Sequence, residues 1–191
     1  MVEYDKADLE RACKVMRDGG VILYPTDTIW GIGCDASCEE AVRRIFQIKK
    51  RSDSKSMLVL VDSEAKLNYY VEDVPDLAYD LIEMSEKPLT IIYDGARRLA
   101  PQLIAEDGSV GIRVTHEAFS RDLCARMRGA IVSTSANISG QPSPSVFMDI
   151  AREIIDSVDY VVEYRRGDNT KAKPSGIVKL GAGGLVKVIR E

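Results

Sequence analysis

Apolar positions along the chain fall into two alternating rhythms. Leu9, Ala12, Cys13 and Met16 recur at helical spacing, and Gly19-Gly20 stops the helix they define. Val21, Ile22, Leu23 and Tyr24 follow as an unbroken apolar run, the signature of a buried strand. Pro25 cannot donate into a central ladder, so the strand ends there. A second helix is expected from Ser37, with Glu40 completing a capping box and Ala41, Val42, Ile45 and Phe46 forming the buried stripe. Met57 to Val61 reads as a strand, and Leu77, Ala78, Leu81 and Ile82 mark a helix that Pro75 starts. Further strands are expected at Leu89 to Tyr93, Val110 to Val114, Ala130 to Thr134, Tyr160 to Val162, Gly176 to Leu180 and Leu185 to Ile189. Two more helices fit between them, one carrying Phe119, Leu123 and Met127, the other Val146, Ile150 and Ile154. The alternation predicts an α/β fold. The last two strands, joined by Gly181-Ala182-Gly183-Gly184, have hairpin spacing, so part of the sheet is antiparallel.

At 191 residues and 45% hydrophobic, the chain suits one core, and residues 1–191 are read as a single domain. No apolar run approaches the roughly 20 residues of a membrane span, and the first residues lack the pattern of a secretory signal. A soluble cytoplasmic protein is expected. Cys13, Cys34, Cys38 and Cys124 lack the paired spacing of a zinc site or disulfide scaffold and read as reduced, mostly buried thiols. With His116 the single histidine, no structural metal is expected. The net charge of −4 argues against nucleic-acid binding by bulk attraction, so any anion must be held locally.

Chemistry concentrates at three places. Thr26-Asp27-Thr28 puts two hydroxyls and a carboxylate at the carboxyl end of the Val21 to Tyr24 strand, where open α/β sheets place their ligands. Ser133-Thr134-Ser135-Ala136-Asn137-Ile138-Ser139-Gly140 crowds hydroxyls and an amide at the end of another strand. Lys49-Lys50-Arg51, with Lys55, sets cations at a helix end, within reach of phosphates across a sheet edge. There is no GxxxxGK[ST] loop, no GxGxxG after the first strand, no HExxH and no GxSxG. His116 is the one histidine base available to a nucleophile, and its place beside Glu117 suits a helix start or a solvent-facing role. The remaining inventory of hydroxyls, amides and cations suits positioning and charge stabilisation.

Taken in order, YPTDT, the IKxR run, VGIR, STSANISG and a late KPSGIV resemble the Sua5/YciO/YrdC family across Gly19 to Arg190. The resemblance implies a single-domain twisted open sheet, mixed parallel and antiparallel, with flanking helices around a concave cavity of the YrdC/RibB-like type. It implies synthesis of L-threonylcarbamoyladenylate and pyrophosphate from L-threonine, bicarbonate and ATP, with Mg²⁺, for N6-threonylcarbamoyladenosine in tRNA. Partner proteins of tRNA modification would use the product. The alternatives are a module binding tRNA or double-stranded RNA, or a paralogue with another carbamoylation or hydrolysis reaction, as in the YciO branch.

Residue by residue, the resemblance implies that Thr28, Arg113 and Ser175 hold threonine, with Arg113 forking onto its carboxylate. Lys49 and Arg51 match the family's KxR and would act on the triphosphate, joined by Lys55. Ser133, Ser135, Asn137 and Arg190 would line the nucleotide site. Gly111, two residues before Arg113 and so on the same strand face, would leave room for a ligand. The chain departs from the family pattern at Met84-Ser85-Glu86-Lys87-Pro88-Leu89-Thr90, where WPGPLT is usual, and at Pro174-Ser175-Gly176, where PST is usual. Ser52 and Thr115 stand where the family has prolines. Ending at Glu191, the chain reads as the short form without the C-terminal Sua5 domain, as a monomer or homodimer.

Overall fold

A computed structural model describes residues 4–50, 57–181 and 185–191. Its helices are α1 (Lys6–Arg17), α2 (Glu39–Ile48), α3 (Leu67–Tyr70), α4 (Asp76–Met84), α5 (Ala118–Met127) and α6 (Arg152–Ser157). Its strands are β1 (Ile22–Tyr24), β2 (Gly31–Gly33), β3 (Leu58–Val61), β4 (Leu89–Tyr93), β5 (Val110–Val114), β6 (Ile131–Ser135), β7 (Tyr160–Val161), β8 (Gly176–Leu180) and β9 (Val186–Arg190). The nine strands form one open sheet in the order β7-β1-β2-β6-β3-β5-β4-β8-β9. The pairs β1/β7, β3/β5 and β4/β8 are parallel and the other five antiparallel. The mixed α/β sheet expected from the alternation is therefore present, including the antiparallel β8/β9 pair.

Successive strand residues face opposite sides, and the two faces bury different layers. On one face, Leu23, Ile32, Val59, Val61 and Val132 pack with Val42, Ile45 and Phe46 of α2. On the other, Ile22, Tyr24, Leu60 and Ile131 pack beneath Leu9, Ala12 and Met16 of α1 and Phe119 and Leu123 of α5. This double coverage explains the unbroken apolar run of β1. Asp8 pins α1 to the strand beside it: buried, it accepts from the Tyr160 hydroxyl at 2.7 Å and from the Glu163 and Tyr164 amides.

Three local expectations are corrected. Ser37 does not cap α2, because its amide and hydroxyl both turn back to Asp35 Oδ1, leaving Cys38 at the N-cap without a side-chain bond. No strand is expected between Tyr24 and Met57, yet Gly31–Gly33 pairs with both β1 and β6. The helix expected across Val146 to Ile154 is broken into a 3-10 turn at Phe147–Asp149 and α6. Phe147, whose ring packs on Trp30 at 4.9 Å, and Ile150 and Ile154 all join the same core from the two pieces. His116 is exposed just before α5, whose N-cap is Glu117, its carboxylate accepting from the Phe119 and Ser120 amides.

Candidate active site

The face that α1 and α5 cover at one end of the sheet is open at the other, and there it floors a cavity of about 280 Å³. The same alternation that puts Ile131 and Leu60 under the helices puts Ser133, Ser135 and Leu58 into the cavity. Gly111 and Arg113 of β5 and Thr90 and Ile92 of β4 continue the floor. Ile177 and Arg190, paired across β8 and β9, complete it. Thr28 to Gly31, Ser143 and Ser175 form the walls. A Cβ on Gly111 would stand 3.3 Å from Thr90 Cγ2 and 3.5 Å from Leu58 Cβ, so the bare glycine deepens the floor as its position beside Arg113 suggests.

The wall after β1 is fixed by its threonines. The Thr26 hydroxyl accepts from the Thr28 amide at 3.0 Å and donates to Ile29 O at 2.9 Å. Its one proton thus spent, the Thr28 hydroxyl 3.0 Å away donates to it and keeps its own lone pairs for the cavity. Arg165 fastens the turn from outside, donating to Thr26 O at 3.0 Å. On the opposite wall, Ser175 is bound to the Thr90 hydroxyl at 2.8 Å, and its carbonyl accepts from Arg190 Nε at 2.8 Å.

Charge in the cavity is one-sided. Arg113 and Arg190 both line it, eight Ser and Thr residues surround them, and among the described residues no carboxylate does. Burial, and then the charge of Arg113, push the Arg190 guanidinium below the usual arginine range. Arg113 is buried and pairs with Asp27 at 3.0 Å, outside the cavity lining. Two like charges converging on a hydroxyl-rich hollow make a receptor for anions.

Of the residues singled out in the sequence, Thr28, Arg113, Ser133, Ser135, Ser175 and Arg190 meet in this cavity. Arg51 and Lys55 lie outside the described residues. Lys49 is not a solvent-facing cation at the cavity: it is 1% exposed, and its ammonium donates to Ser135 O and, at 2.7 Å, to Asn137 O. Its helix-end backbone also accepts from the Ser139 amide at 2.8 Å, so Lys49 ties α2 to the turn after β6. Asn137 is likewise absent from the lining, and its amide group holds Ile138 O and Gln141 O. Trp30, Thr90, Ser109 and Ser143 also line the cavity, and the sequence did not single them out. Thr90 carried a signal, since it closes the altered KPLT segment and faces the cavity one step along from Leu89.

Similarity to known proteins agrees with this geometry. The chain is 32% identical over 177 residues to the Pseudomonas aeruginosa protein named "Threonylcarbamoyl-AMP synthase", covering 92% of this chain and 94% of that one. The E. coli YciO structure superposes with a TM-score of 0.85 at 24% identity, over 98% of this chain and 90% of that chain. P. abyssi Sua5 complexed with L-threonine superposes with a TM-score of 0.83 at 22% identity, covering 94% of this chain. This chain spans about half of that longer one, 52%. The fold is shared with both structures. A family model described as "Telomere recombination" matches residues 14–191, and the chain belongs to the Sua5/YciO/YrdC family.

Proposed function

We propose that this protein is an L-threonylcarbamoyladenylate synthase, joining L-threonine, bicarbonate and ATP into threonylcarbamoyl-AMP with release of pyrophosphate. The observation that carries the reading is a cavity whose described lining holds two guanidinium groups and no carboxylate, in a chain 32% identical to a protein named for this activity. P. abyssi Sua5, which has the same fold, forms a crystalline complex with L-threonine.

In this reading Arg113 receives the threonine carboxylate through two parallel donors, with Thr28 and Ser175 on either side. Ser133, Ser135 and Arg190 line the nucleotide portion, and Arg51 and Lys55 meet the triphosphate. The threonine amine bonds to the carbon of bicarbonate as a C–O bond breaks and water leaves, giving a carbamate. A carbamate oxygen then attacks the α-phosphorus in line while the bond to pyrophosphate breaks. No enzyme nucleophile is needed, and the protein's part is to align the two anions and offset their charge. Lys49 and Asn137 serve from behind by fixing the Ser135 turn. The donor set does not make a resident Mg²⁺ site: the walls offer hydroxyls and guanidinium groups, and among the described residues no three His, Cys, Asp or Glu converge. Magnesium belongs here to the nucleotide substrate. The product would pass to proteins that modify tRNA.

Pyrophosphate release, with threonine, bicarbonate and ATP omitted in turn, tests this. Release should require all three. Turnover that persists without threonine, or salt-sensitive RNA binding without ATP turnover, would replace the proposal.

A further inference from the structure

We infer that Asp27 is a positioning residue for the amino-acid half of the cavity, holding the Arg113 guanidinium from behind so that its remaining donors face the substrate carboxylate. The inference rests on the proposed threonine role of Arg113 and adds a residue outside the cavity to it.

Three observations carry it. Asp27 does not line the anion cavity. It lines a neighbouring one of about 200 Å³ with Lys87, Val114 and His116, so it reaches a ligand in the first cavity only through Arg113. The pair is dry and close, with 3.0 Å between Arg113 Nη2 and Asp27 Oδ1 and side-chain exposures of 3% and 9%. Such a pair holds one geometry, because separating it strands a buried charge. Arg113 Nε and both Asp27 oxygens are buried without a hydrogen-bond partner among the described residues, so charge and proximity hold the two groups together. A buried arginine on a cavity lining that, among the described residues, holds no carboxylate is poised for an anion.

The chain also gives Asp27 a rigid mount. The residues on either side are locked by the Thr26 to Thr28 and Thr26 to Ile29 bonds, and Arg165 grips the Thr26 carbonyl. The carboxylate therefore cannot follow a guanidinium that swings. Its charge has a second use, since Arg190 crowds Arg113 with a like charge. A carboxylate outside the cavity offsets that repulsion without occupying the space where an anion must sit.

Asp27→Asn keeps the shape and removes the charge, so it separates the two roles Asp27 can have. The measurements are threonine affinity by calorimetry, KM for threonine and for ATP from pyrophosphate release, and the unfolding midpoint. Positioning predicts a threonine KM and Kd raised on the order of tenfold, the scale of one misplaced charge-assisted hydrogen bond, with the ATP KM within about twofold. Asp27→Glu, which restores the charge on a longer arm, should recover part of the threonine affinity. Equal loss for both substrates, or a lowered unfolding midpoint with unchanged threonine KM, overturns the inference and leaves a structural ion pair. Wild-type protein that neither binds nor consumes threonine would instead sink the functional reading beneath it.

Discussion

One face of the sheet is two different surfaces. Beneath α1 and α5 it is dry, with Ile22, Tyr24, Leu60 and Ile131 packed on Leu9, Met16, Phe119 and Leu123. Beyond the helices it carries Thr90, Gly111, Arg113, Ser133 and Ser135 around a hollow. The border falls within a single strand on β6, between Ile131 and Ser133, whereas on β3 Leu58 both packs against the covered cluster and lines the cavity. Strand alternation holds throughout, and on β6 only the chemistry of each second residue changes. Stability and ligand recognition are thus assigned to adjacent steps of one ladder, and substitutions on the two sides of the border should have separable effects.

The sharpest way to break this contrast is Phe119→Ala. Phe119 is fully buried, meets Tyr4 edge-on at 5.3 Å and stacks with Tyr164 at 5.7 Å. Its truncation should cost about 3–5 kcal/mol in denaturant unfolding. Activity per folded molecule should remain, and its loss beyond the unfolded fraction would deny the separation. Across the border, Arg113→Lys should raise the threonine KM on the order of tenfold, because a lysine keeps the charge but loses the fork. The ATP KM should move far less, and calorimetric titration of each substrate checks the split. Thr28→Ala should show the same pattern more mildly. Unchanged threonine affinity would move Arg113 to the phosphates or to a purely structural pair.

The smallest effect lies outside the cavity lining, at a carboxylate bonded to Ser109. Asp107 is held down from 3.8 to about 2 by its bonds to Lys179, at 2.6 Å, and to Ser109. A carboxylate lowered on folding adds stability above its unfolded value and loses it as pH falls toward the folded one. That contribution should therefore fade between about pH 4 and pH 2. Because the pair is largely exposed, it should amount to less than about 1 kcal/mol. Comparing acid unfolding of the wild type with Asp107→Asn measures it, and identical curves would remove Asp107 from the account.

How much was legible follows from how local each signal is. The run of β1 and the stripe of α1 declare themselves because burial on two faces or one leaves a pattern in consecutive residues. β2 left none: of Gly31, Ile32 and Gly33, a single residue has a side chain, so no alternation can appear. Thr28, Arg113, Ser133, Ser135, Ser175 and Arg190 emerge through the ordered family motifs, since no spacing rule joins residues that only the sheet brings together. The surroundings of Lys49 are not written in its sequence neighbours. The order of cations at the helix end points Lys49 toward phosphates, whereas its ammonium lies against the Ser135 and Asn137 carbonyls of the turn after β6. Lys49→Ala is consequently a change to the fold as well as to charge.

The position of Arg190 has a further consequence. It is carried by β9, one of the sheet's two edge strands, which has one ladder, to β8, and whose residues are exposed. Edge strands fray first, since each of their residues is held by half the bonds of an interior one. Of the cavity's cations among the described residues, one thus rides on an edge strand, while the other is set inside the sheet on β5. An anion bridging Arg113 and Arg190 would act as a cross-tie between them, so that occupancy of the hollow tightens the sheet's margin and an empty hollow leaves it loose.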